Sequence, residues 1–233
     1  HVITSEHIEE DKQKYFTQQG TTAKGIAPCY RDKFGRTGSR VGNNENYEDF
    51  KNYIWDEKLY GNILCEGAQG FWLDINFGNY PYITSSTTLP YGACSLGFSP
   101  KLIQWIYGAC KIYDTRSGQD PLFPEDLLND AELLLVADAG KEYGTTTGRR
   151  RKVNWLNIEK LKDAINISGT THLIISKIDV LENINIFKLI NNDIISFSDI
   201  NTMKRYIEEY LRMNCTDLTY IFYSNNVENI EGI

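Results

Sequence analysis

The sequence lacks a long apolar run, a secretory signal, and any general excess of positive charge. No stretch approaches the roughly 18–20 apolar residues that are needed to cross a bilayer, which excludes a membrane-spanning helix. Residues 1–12 are polar and acidic, so we expect no signal peptide there. The 24 basic and 31 acidic residues give a net charge of −7. This balance argues against a nucleic-acid or membrane-surface binder, and any anion site must be a local basic cluster.

The sequence also has few residues of the types that bind metals or form disulfides. Its five cysteines are an odd number, and no two stand at C-x-x-C spacing. This pattern argues against a disulfide framework and against a zinc site, and it predicts a reducing compartment, the cytoplasm. The three histidines are scattered along the chain, so a histidine-based metal cluster is not expected either.

What is present indicates a folded α/β protein. Hydrophobic residues make up 41% of the 233 residues and charged residues 24%, which is ordinary for a globular chain. Short apolar runs alternate with segments of helical period, and no linker rich in Pro, Gly and Ser divides them. We therefore predict a single domain over residues 1–233 with a mainly parallel sheet. The predicted helices lie at about 5–16, 46–60, 102–112, 126–137, 157–167 and from 198 or 199 onward, and the predicted strands at 62–65, 172–176 and 218–223.

The densest chemical signal is the stretch G-T-T-T-G-R-R-R-K at residues 144–152. Its glycines let backbone N–H groups turn toward an anion, and its guanidinium groups match carboxylate or phosphate oxygens in pairs. The alternative interpretation is a solvated basic turn. Composition alone leaves both interpretations open.

A second signal, Ser176-Lys177-Ile178-Asp179, directly follows the predicted buried strand at 172–176. Residues at the carboxyl end of a parallel strand face the ligand crevice of an α/β sheet. A carboxylate there can accept two hydrogen bonds from the guanine N1–H and N2–H₂ groups, and the Lys stem can cover the base. Taken alone, K-x-D is more often a surface ion pair.

Three further loops carry polar groups suited to nucleotides. Residues 66–70 hold the amide of Gln69 on a glycine turn, where it can pair with a purine edge. Residues 20–28 form a Gly/Thr loop that could cradle a phosphate, and residues 82–88 are rich in hydroxyl groups. Each of the latter two alone is more often an ordinary turn.

The order of these motifs resembles that of the adenylosuccinate synthetase family. G-T-T-x-x-G-I-x-P, E-G-A-Q-G, D-I-x-x-G-x-Y-P-x-x-T-S-S, T-R-x-G, T-T-G-R-R-R and S-K-x-D-V-L follow one another from Gly20 to about Leu181. The resemblance implies a P-loop-like α/β fold whose central, mostly parallel sheet is flanked by helices and which here lacks its amino-terminal part. It also implies a ligase of AMP biosynthesis. In that family GTP phosphorylates the 6-oxygen of IMP, with Mg²⁺, and the amine of L-aspartate then displaces the phosphate.

The resemblance assigns a role to each candidate residue by its place in a motif. Arg36 would reach the IMP of a neighbouring subunit, which implies a homodimer. The IMP-binding residues would be Thr22, Arg36, Gln69, Thr84 and Arg149; the aspartate-binding residues Thr146, Thr147, Arg149 and Arg151; and the GTP-binding residues Arg151, Lys177, Asp179 and Ser224.

Several departures qualify the resemblance. The family's G-D-E-G-K-G-K loop, its catalytic Asp and His, and the expected Mg²⁺ ligands would precede His1, and none is found in this sequence. We therefore expect the chain to correspond to the carboxyl-terminal two-thirds of the enzyme and to be inactive by itself. Asn225-Asn226 stands where the family has Gly-Pro beside Ser224. Two alternatives stay open: a viral-type enzyme that uses dGMP to make 2-aminoadenylosuccinate, and a catalytically dead nucleotide-binding or dimer-partner protein.

Overall fold

A computed structural model describes residues 1–41, 47–55, 57–144, 148–225 and 230–232. The described residues form two compact units, His1–Leu96 and Gly97–Ile233. The α-helices are α1 (Ser5–Glu10), α2 (Thr17–Gln19), α3 (Ile26–Gly35), α4 (Tyr47–Phe50), α5 (Ala131–Ala139), α6 (Ile158–Ser168), α7 (Ile178–Ile184) and α8 (Ile200–Asn214). The strands are β1 (Tyr107–Lys111), β2 (Tyr113–Arg116), β3 (Lys152–Asn157), β4 (His172–Ser176), β5 (Lys188–Asn191), β6 (Asp193–Ser196), β7 (Tyr220–Ser224) and β8 (Ile230–Gly232).

The first unit begins with a capped helix. The His7 backbone N–H donates to the Thr4 hydroxyl at 3.4 Å, and the Thr4 N–H donates to His7 Nδ1 at 3.0 Å, so the two side chains close the first turn of α1. The chain continues through a π-helical segment, Asp11–Phe16, into α2. The predicted helix at 5–16 is therefore close to the observed bounds.

The rest of the first unit consists mostly of loops and short 3₁₀ turns. In place of the predicted helix at 46–60, the described residues of this stretch form only α4 and a 3₁₀ turn at Lys51–Tyr53. The predicted strand at 62–65 is also wrong, because those residues have no strand partner in the described part of the chain. Leu64 is 86% exposed, so the apolar side chains of this stretch are not buried on a sheet face.

The second unit contains two four-stranded sheets. The first has the order β1-β4-β7-β8, with β1, β4 and β7 parallel and β8 antiparallel to β7. The second has the order β2-β3-β5-β6 and is parallel only between β3 and β5. Helices α5 and α6 pack against β3. The predicted α/β class, with a parallel sheet flanked by helices, is confirmed, whereas the single domain over 1–233 stays a prediction.

Apolar side chains from strands and helices meet in one core within the second unit. On α8 the side chains of Met203, Ile207 and Leu211 are completely buried, as expected for residues that repeat at helical spacing on one face. They belong to the same core cluster as Ile175 and Ile221 of the first sheet. This shared core fixes the strands whose ends form the candidate site.

The predicted helix at 102–112 is wrong. Only Pro100–Leu102 forms a 3₁₀ turn, and Tyr107–Lys111 is strand β1. A short apolar run fits a buried helix and a buried strand equally well, and here the parallel pairing of β1 with β4 decides between them.

The carboxyl group of Asp114 on β2 makes stability depend on pH. Burial raises the pKa of Asp114 to about 6, although the Asn157 N–H donates to it at 3.1 Å. Because this pKa lies above the unfolded value, the folded chain binds more protons between the two values, and the free energy of unfolding falls as pH rises through that window. We expect Asp114→Asn, which keeps an acceptor for Asn157, to raise that free energy by about 1–2 kcal/mol near neutral pH.

Urea unfolding followed by circular dichroism measures this effect. The exposed carboxyl of Asp126 offers a matched control, and Asp126→Asn should change the free energy of unfolding by less than about 0.5 kcal/mol. Below the unfolded pKa the Asp114 carboxyl is protonated in both the folded and the unfolded chain, so the advantage of Asp114→Asn should disappear there. An equal advantage at acid and neutral pH would contradict the assignment of the shift to Asp114.

Candidate functional site

The carboxyl ends of three parallel strands align at one edge of the first sheet. Lys111 ends β1, Ser176 ends β4 and Ser224 ends β7, and the three are register partners across the sheet. Hydrogen bonds from the Ser176 hydroxyl to the Cys110 carbonyl, at 2.9 Å, and from the Ile112 N–H to the Ser176 carbonyl, at 2.9 Å, fix this edge. Ligands of open α/β sheets bind at such an edge.

Lys177 and Asp179 lie where β4 gives way to α7. Lys177 has a left-handed backbone, with φ of 67°, and directly precedes α7. This conformation is rare for a residue with a side chain, and it turns the chain sharply out of the strand. The Lys177 ammonium donates to the Gly140 carbonyl at 3.1 Å.

The carboxylate of Asp179 has an unused acceptor. Asp179 stands in the first turn of α7, and its Oδ1 atom is buried without a hydrogen-bond partner among the described residues. A buried acceptor that lacks a partner costs on the order of 1–3 kcal/mol, so such groups call for an explanation. A ligand that donates N–H groups would supply the missing partner.

The carboxylate of Glu142 joins this edge to the basic loop. Its side chain is 2% exposed. Lys111 Nζ donates to both of its oxygens at 2.7 Å, the Tyr113 hydroxyl donates to Oε1 at 2.8 Å, and Arg151 Nη1 donates to Oε2 at 3.0 Å. Gly140 leaves room for the Tyr113 hydroxyl, because a Cβ at that position would collide with it.

The charges in this cluster shift one another's protonation. Burial acts to raise the pKa of Glu142, but the hydrogen bonds from Lys111, Tyr113 and Arg151 lower it below its ordinary value. Burial lowers the pKa of Lys111, an effect that Glu142 opposes and the positive charges of Arg151 and Lys177 reinforce. Burial, the hydrogen bond to Glu142 and the charges of Glu142 and Asp179 raise the pKa of Tyr113. The aspartate- and GTP-site candidates Arg151, Lys177 and Asp179 therefore share one electrostatic environment.

The basic run separates into side chains with different partners. Arg150 pairs with Asp138 on α5 at 2.6 Å, and Lys152 pairs with Glu125 at 3.0 Å. Arg149 is exposed, and Arg151 holds Glu142. Thr146 and Thr147, predicted to bind aspartate, lie outside the described residues.

The loop that carries these residues closes on its own backbone. Tyr143 and Arg150 form an antiparallel bridge, the Arg151 N–H donates to the Glu142 carbonyl at 2.9 Å, and the Gly144 N–H donates to the Arg149 carbonyl at 2.8 Å. Gly148, with φ of 64°, adopts the left-handed backbone that glycine tolerates best. The base of the loop is therefore fixed immediately before Arg151.

In the first unit, a buried aspartate shapes the loop that carries Thr22. Asp11 accepts the Thr21 hydroxyl at 2.7 Å and the Gly25 N–H at 2.8 Å. These bonds fold residues 20–25 around one carboxylate and leave Thr22 exposed. Gly25 has φ of 78°, and a Cβ there would lie 2.8 Å from Ile3, so glycine is required.

A second buried aspartate shapes the hydroxyl-rich loop of Thr84. Asp74 is completely buried and accepts the Asn76 N–H at 2.8 Å, the Thr88 N–H at 2.6 Å and the Thr87 hydroxyl at 3.0 Å. Burial acts to raise the pKa of Asp74, but these hydrogen bonds lower it below its ordinary value. The Thr84 N–H donates to the Leu73 carbonyl at 2.9 Å, which holds the loop against the turn before it.

The remaining predicted IMP residues of the first unit lie on exposed turns. Gln69 has φ of 62° and Arg36, directly after α3, has φ of 63°, and both side chains are exposed. Both side chains are therefore accessible to a ligand. Their role toward IMP stays a prediction.

Sequence reasoning missed Lys111, Tyr113 and Glu142. Lys111 lies within the predicted helix at 102–112, which hid its place beside Ser176. Glu142 stands two residues before the Gly/Thr loop, and an acidic residue within ten positions of four cations is the signal that the sequence offers.

The described part of the chain shows neither a metal cluster nor a membrane-spanning helix. No group of three or more His, Cys, Asp or Glu side chains suited to a metal occurs among its residues. Its helices are all too short or too polar to cross a bilayer.

Comparisons of sequence identify relatives over most of the chain. A family model for adenylosuccinate synthetase matches residues 1–59 and 44–210. The adenylosuccinate synthetase of Helicobacter acinonychis is 37% identical over 238 residues, which cover 81% of this chain and 57% of that protein. The enzyme of Phocaeicola vulgatus is 37% identical over 215 residues, which cover 72% of this chain and 50% of that protein. The chain thus spans about half the length of the curated relatives that it matches.

Comparisons of structure agree with this result. The fully ligated adenylosuccinate synthetase of Plasmodium falciparum superposes with a TM-score of 0.77 at 25% identity and covers 99% of this chain and 76% of its own. The succinoaminodeoxyadenylate synthetase of a cyanophage, solved with dGMP and dATP, superposes with a TM-score of 0.67 at 16% identity and covers 98% of this chain and 65% of its own. The cyanophage comparison bears on the fold alone.

Proposed function

Because this chain belongs to the adenylosuccinate synthetase family, we propose that it carries guanine and aspartate recognition for the GTP-dependent ligation of L-aspartate to IMP. This reaction forms a C–N bond in AMP biosynthesis and proceeds through a 6-phosphoryl intermediate. The observation that carries the proposal is the buried Oδ1 atom of Asp179, which has no hydrogen-bond partner in the described part of the chain and lies beside Lys177 at the carboxyl edge of the first sheet.

Guanine fits the chemistry of that edge. Its N1–H and N2–H₂ groups are parallel donors, and the two oxygens of a carboxylate are parallel acceptors. Adenine has no such donor pair, so Asp179 would distinguish GTP from ATP. The stem of Lys177 can cover the base, and Ser224 ends the strand beside Ser176 and would complete the edge.

Aspartate fits the loop that ends at Arg151. A guanidinium binds a carboxylate through two parallel hydrogen bonds, and Arg149 and Arg151 stand on either side of Arg150 in this loop. We assign Thr146 and Thr147 to the same substrate by their place in the family motif.

The remaining roles are also assigned through the family motif. Thr22, Gln69, Thr84 and Arg149 would bind IMP, and Arg36 would reach the IMP of the partner subunit in a cytoplasmic homodimer. Mg²⁺ would accompany GTP, and the described residues contain no group of three or more His, Cys, Asp or Glu side chains suited to hold it. An oxo group leaves poorly and a phosphate leaves well, so the work of the protein is to position the reactants and to stabilise negative charge.

IMP is favoured over dGMP as the acceptor nucleotide. The curated relatives at 37% identity are adenylosuccinate synthetases, whereas the cyanophage enzyme solved with dGMP is 16% identical.

Calorimetric titration of the purified chain tests the proposal. We expect GDP to bind on the order of tenfold or more tightly than ADP, because only guanine offers two donors to Asp179. Equal affinities for the two nucleotides would contradict the proposal.

An activity assay tests the chain further, in a mixture with IMP, GTP, Mg²⁺ and L-aspartate. We expect no adenylosuccinate, because the sequence contains no G-D-E-G-K-G-K loop, and product from this chain alone would refute that expectation.

A further inference from the structure

We infer that Glu142 is the positioning residue that sets Arg151 to receive the substrate carboxylate, an inference that rests on the proposed function. Glu142 has no role in the resemblance and stands just outside the T-T-G-R-R-R motif. Glu142 does not touch the substrate; it acts by holding the guanidinium of Arg151.

The carboxylate of Glu142 is fully used by its neighbours. Two oxygens offer about four lone-pair positions in all. Lys111 fills two of them at 2.7 Å, and Tyr113 and Arg151 fill the others at 2.8 Å and 3.0 Å. No acceptor capacity is left for a ligand, so Glu142 is a fixed internal support.

Arg151, in contrast, keeps capacity to spare. Only its Nη1 atom donates to Glu142, and a guanidinium has about five N–H donors. The Arg151 side chain is 29% exposed, whereas that of Glu142 is 2% exposed. Nη1 of the guanidinium is therefore held by Glu142, and its other donors have no partner among the residues that the structure describes, which leaves them to an incoming carboxylate.

The same two residues are also joined through the main chain. The Arg151 N–H donates to the Glu142 carbonyl at 2.9 Å, next to the bridge between Tyr143 and Arg150. With both its backbone and its guanidinium held, Arg151 loses little further freedom when a substrate binds, and preorganisation of this kind improves affinity.

The balance of charge also favours an anionic ligand. Glu142 supplies one negative charge against the two positive charges of Lys111 and Arg151. Lys111 is the last residue of β1 and pairs in register with Ser176 of β4, which is the residue before Lys177. One carboxylate therefore supports both the loop of the proposed aspartate site and the edge of the proposed guanine site.

Glu142→Gln tests the inference in the complete 233-residue chain. We expect the Kd for L-aspartate, measured by calorimetry with IMP and GDP present, to rise about fivefold or more, because the guanidinium is no longer held by a charged partner. The Kd for GDP alone should rise less than the Kd for L-aspartate, because the proposed guanine acceptor Asp179 is untouched. The Nε–Hε cross-peak of Arg151 in heteronuclear NMR spectra should move toward the position of exposed arginines.

Asp138→Asn is the matched control. It removes the ion pair of the neighbouring Arg150, whose partner Asp138 is 64% exposed. Exposed pairs contribute little, so the Kd for L-aspartate should change by less than about twofold and the Arg151 cross-peak should stay in place.

The outcomes separate this inference from the proposed function. An unchanged aspartate Kd together with an unmoved Arg151 cross-peak in Glu142→Gln overturns the role of Glu142. If the unmodified chain binds no aspartate, the proposed function fails, and the cross-peak alone decides whether Glu142 positions Arg151.

A second variant serves if circular dichroism shows that Glu142→Gln does not fold. Glu142→Asp then replaces it, because aspartate keeps the charge but withdraws the carboxylate by about 1.5 Å. Glu142→Asp should raise the aspartate Kd in the same direction, and an unchanged Kd overturns the inference.

Discussion

Replacing Asp179 with asparagine should remove the preference of the chain for guanine. We expect the GDP affinity to fall on the order of a hundredfold, because two hydrogen bonds to a charged acceptor contribute about 1.5–3 kcal/mol each and asparagine keeps only one acceptor. The amide –NH₂ group would face a guanine donor, which adds an unfavourable contact. Calorimetric titration with GDP measures this change.

Xanthosine diphosphate provides a second measurement on Asp179→Asn, in which the variant should gain affinity for a nucleotide instead of losing it. Xanthine keeps the N1–H donor but presents a carbonyl in place of the guanine amino group, so it matches one acceptor and one donor of an amide. Asp179→Asn should therefore bind xanthosine diphosphate more tightly than GDP, the reverse of the order in the unmodified chain. A general loss of folding cannot produce such a reversal.

Glu182→Gln provides the control for Asp179→Asn. Glu182 lies on the same helix, α7, and its side chain is exposed. Its replacement should leave both nucleotide affinities within about twofold, as expected for a surface charge. If Asp179→Asn kept the GDP affinity of the unmodified chain, Asp179 would be a structural residue and the proposed guanine site would be wrong.

The sequence predicts the second unit best where a local pattern agrees with the tertiary contacts. The continuous apolar run at 172–176 is strand β4, because a parallel strand covered on both faces needs such a run. The helix predicted at 157–167 is α6, Ile158–Ser168. Because this run marks β4, the sequence alone assigns Lys177 and Asp179, which follow it, to the edge of a sheet.

The prediction fails where distant residues decide the structure. Tyr107–Lys111 becomes a strand only because it pairs with His172–Ser176, far along the chain. Glu142 likewise gains its partner Lys111 from strand β1, 31 positions away in the chain. No local period signals such a cluster, because it depends on strand register.

The loops of the first unit show the same limit. Asp11 and Asp74 each fold a loop by accepting hydrogen bonds from residues ten or more positions away. The motifs containing Thr22 and Thr84 were visible in the sequence, but the carboxylates that shape them were not. A single sequence does not show which of its aspartates are buried, so it cannot show which of them accept hydrogen bonds inside a loop.

Replacing Arg151 with leucine should weaken aspartate binding on the order of tenfold or more. The leucine keeps most of the apolar stem but removes a charge-assisted, paired contact with the substrate carboxylate, and one such contact is worth about 1.5–3 kcal/mol. The Kd for L-aspartate with IMP and GDP present measures the loss. Because Lys111 still donates to both oxygens of Glu142, that buried carboxylate keeps its charged partner and the fold should persist.

Arg150→Leu makes the comparison specific to position rather than charge. Arg150 is the adjacent cation of the same run, but it faces Asp138 on α5 instead of the Glu142 cluster. Its loss changes the net charge as much as the loss of Arg151 does, so a general attraction of anions would be weakened equally by the two variants. If only Arg151→Leu raises the aspartate Kd, the run acts as a built site. Equal effects would instead identify it as a solvated basic turn, the interpretation that composition alone left open.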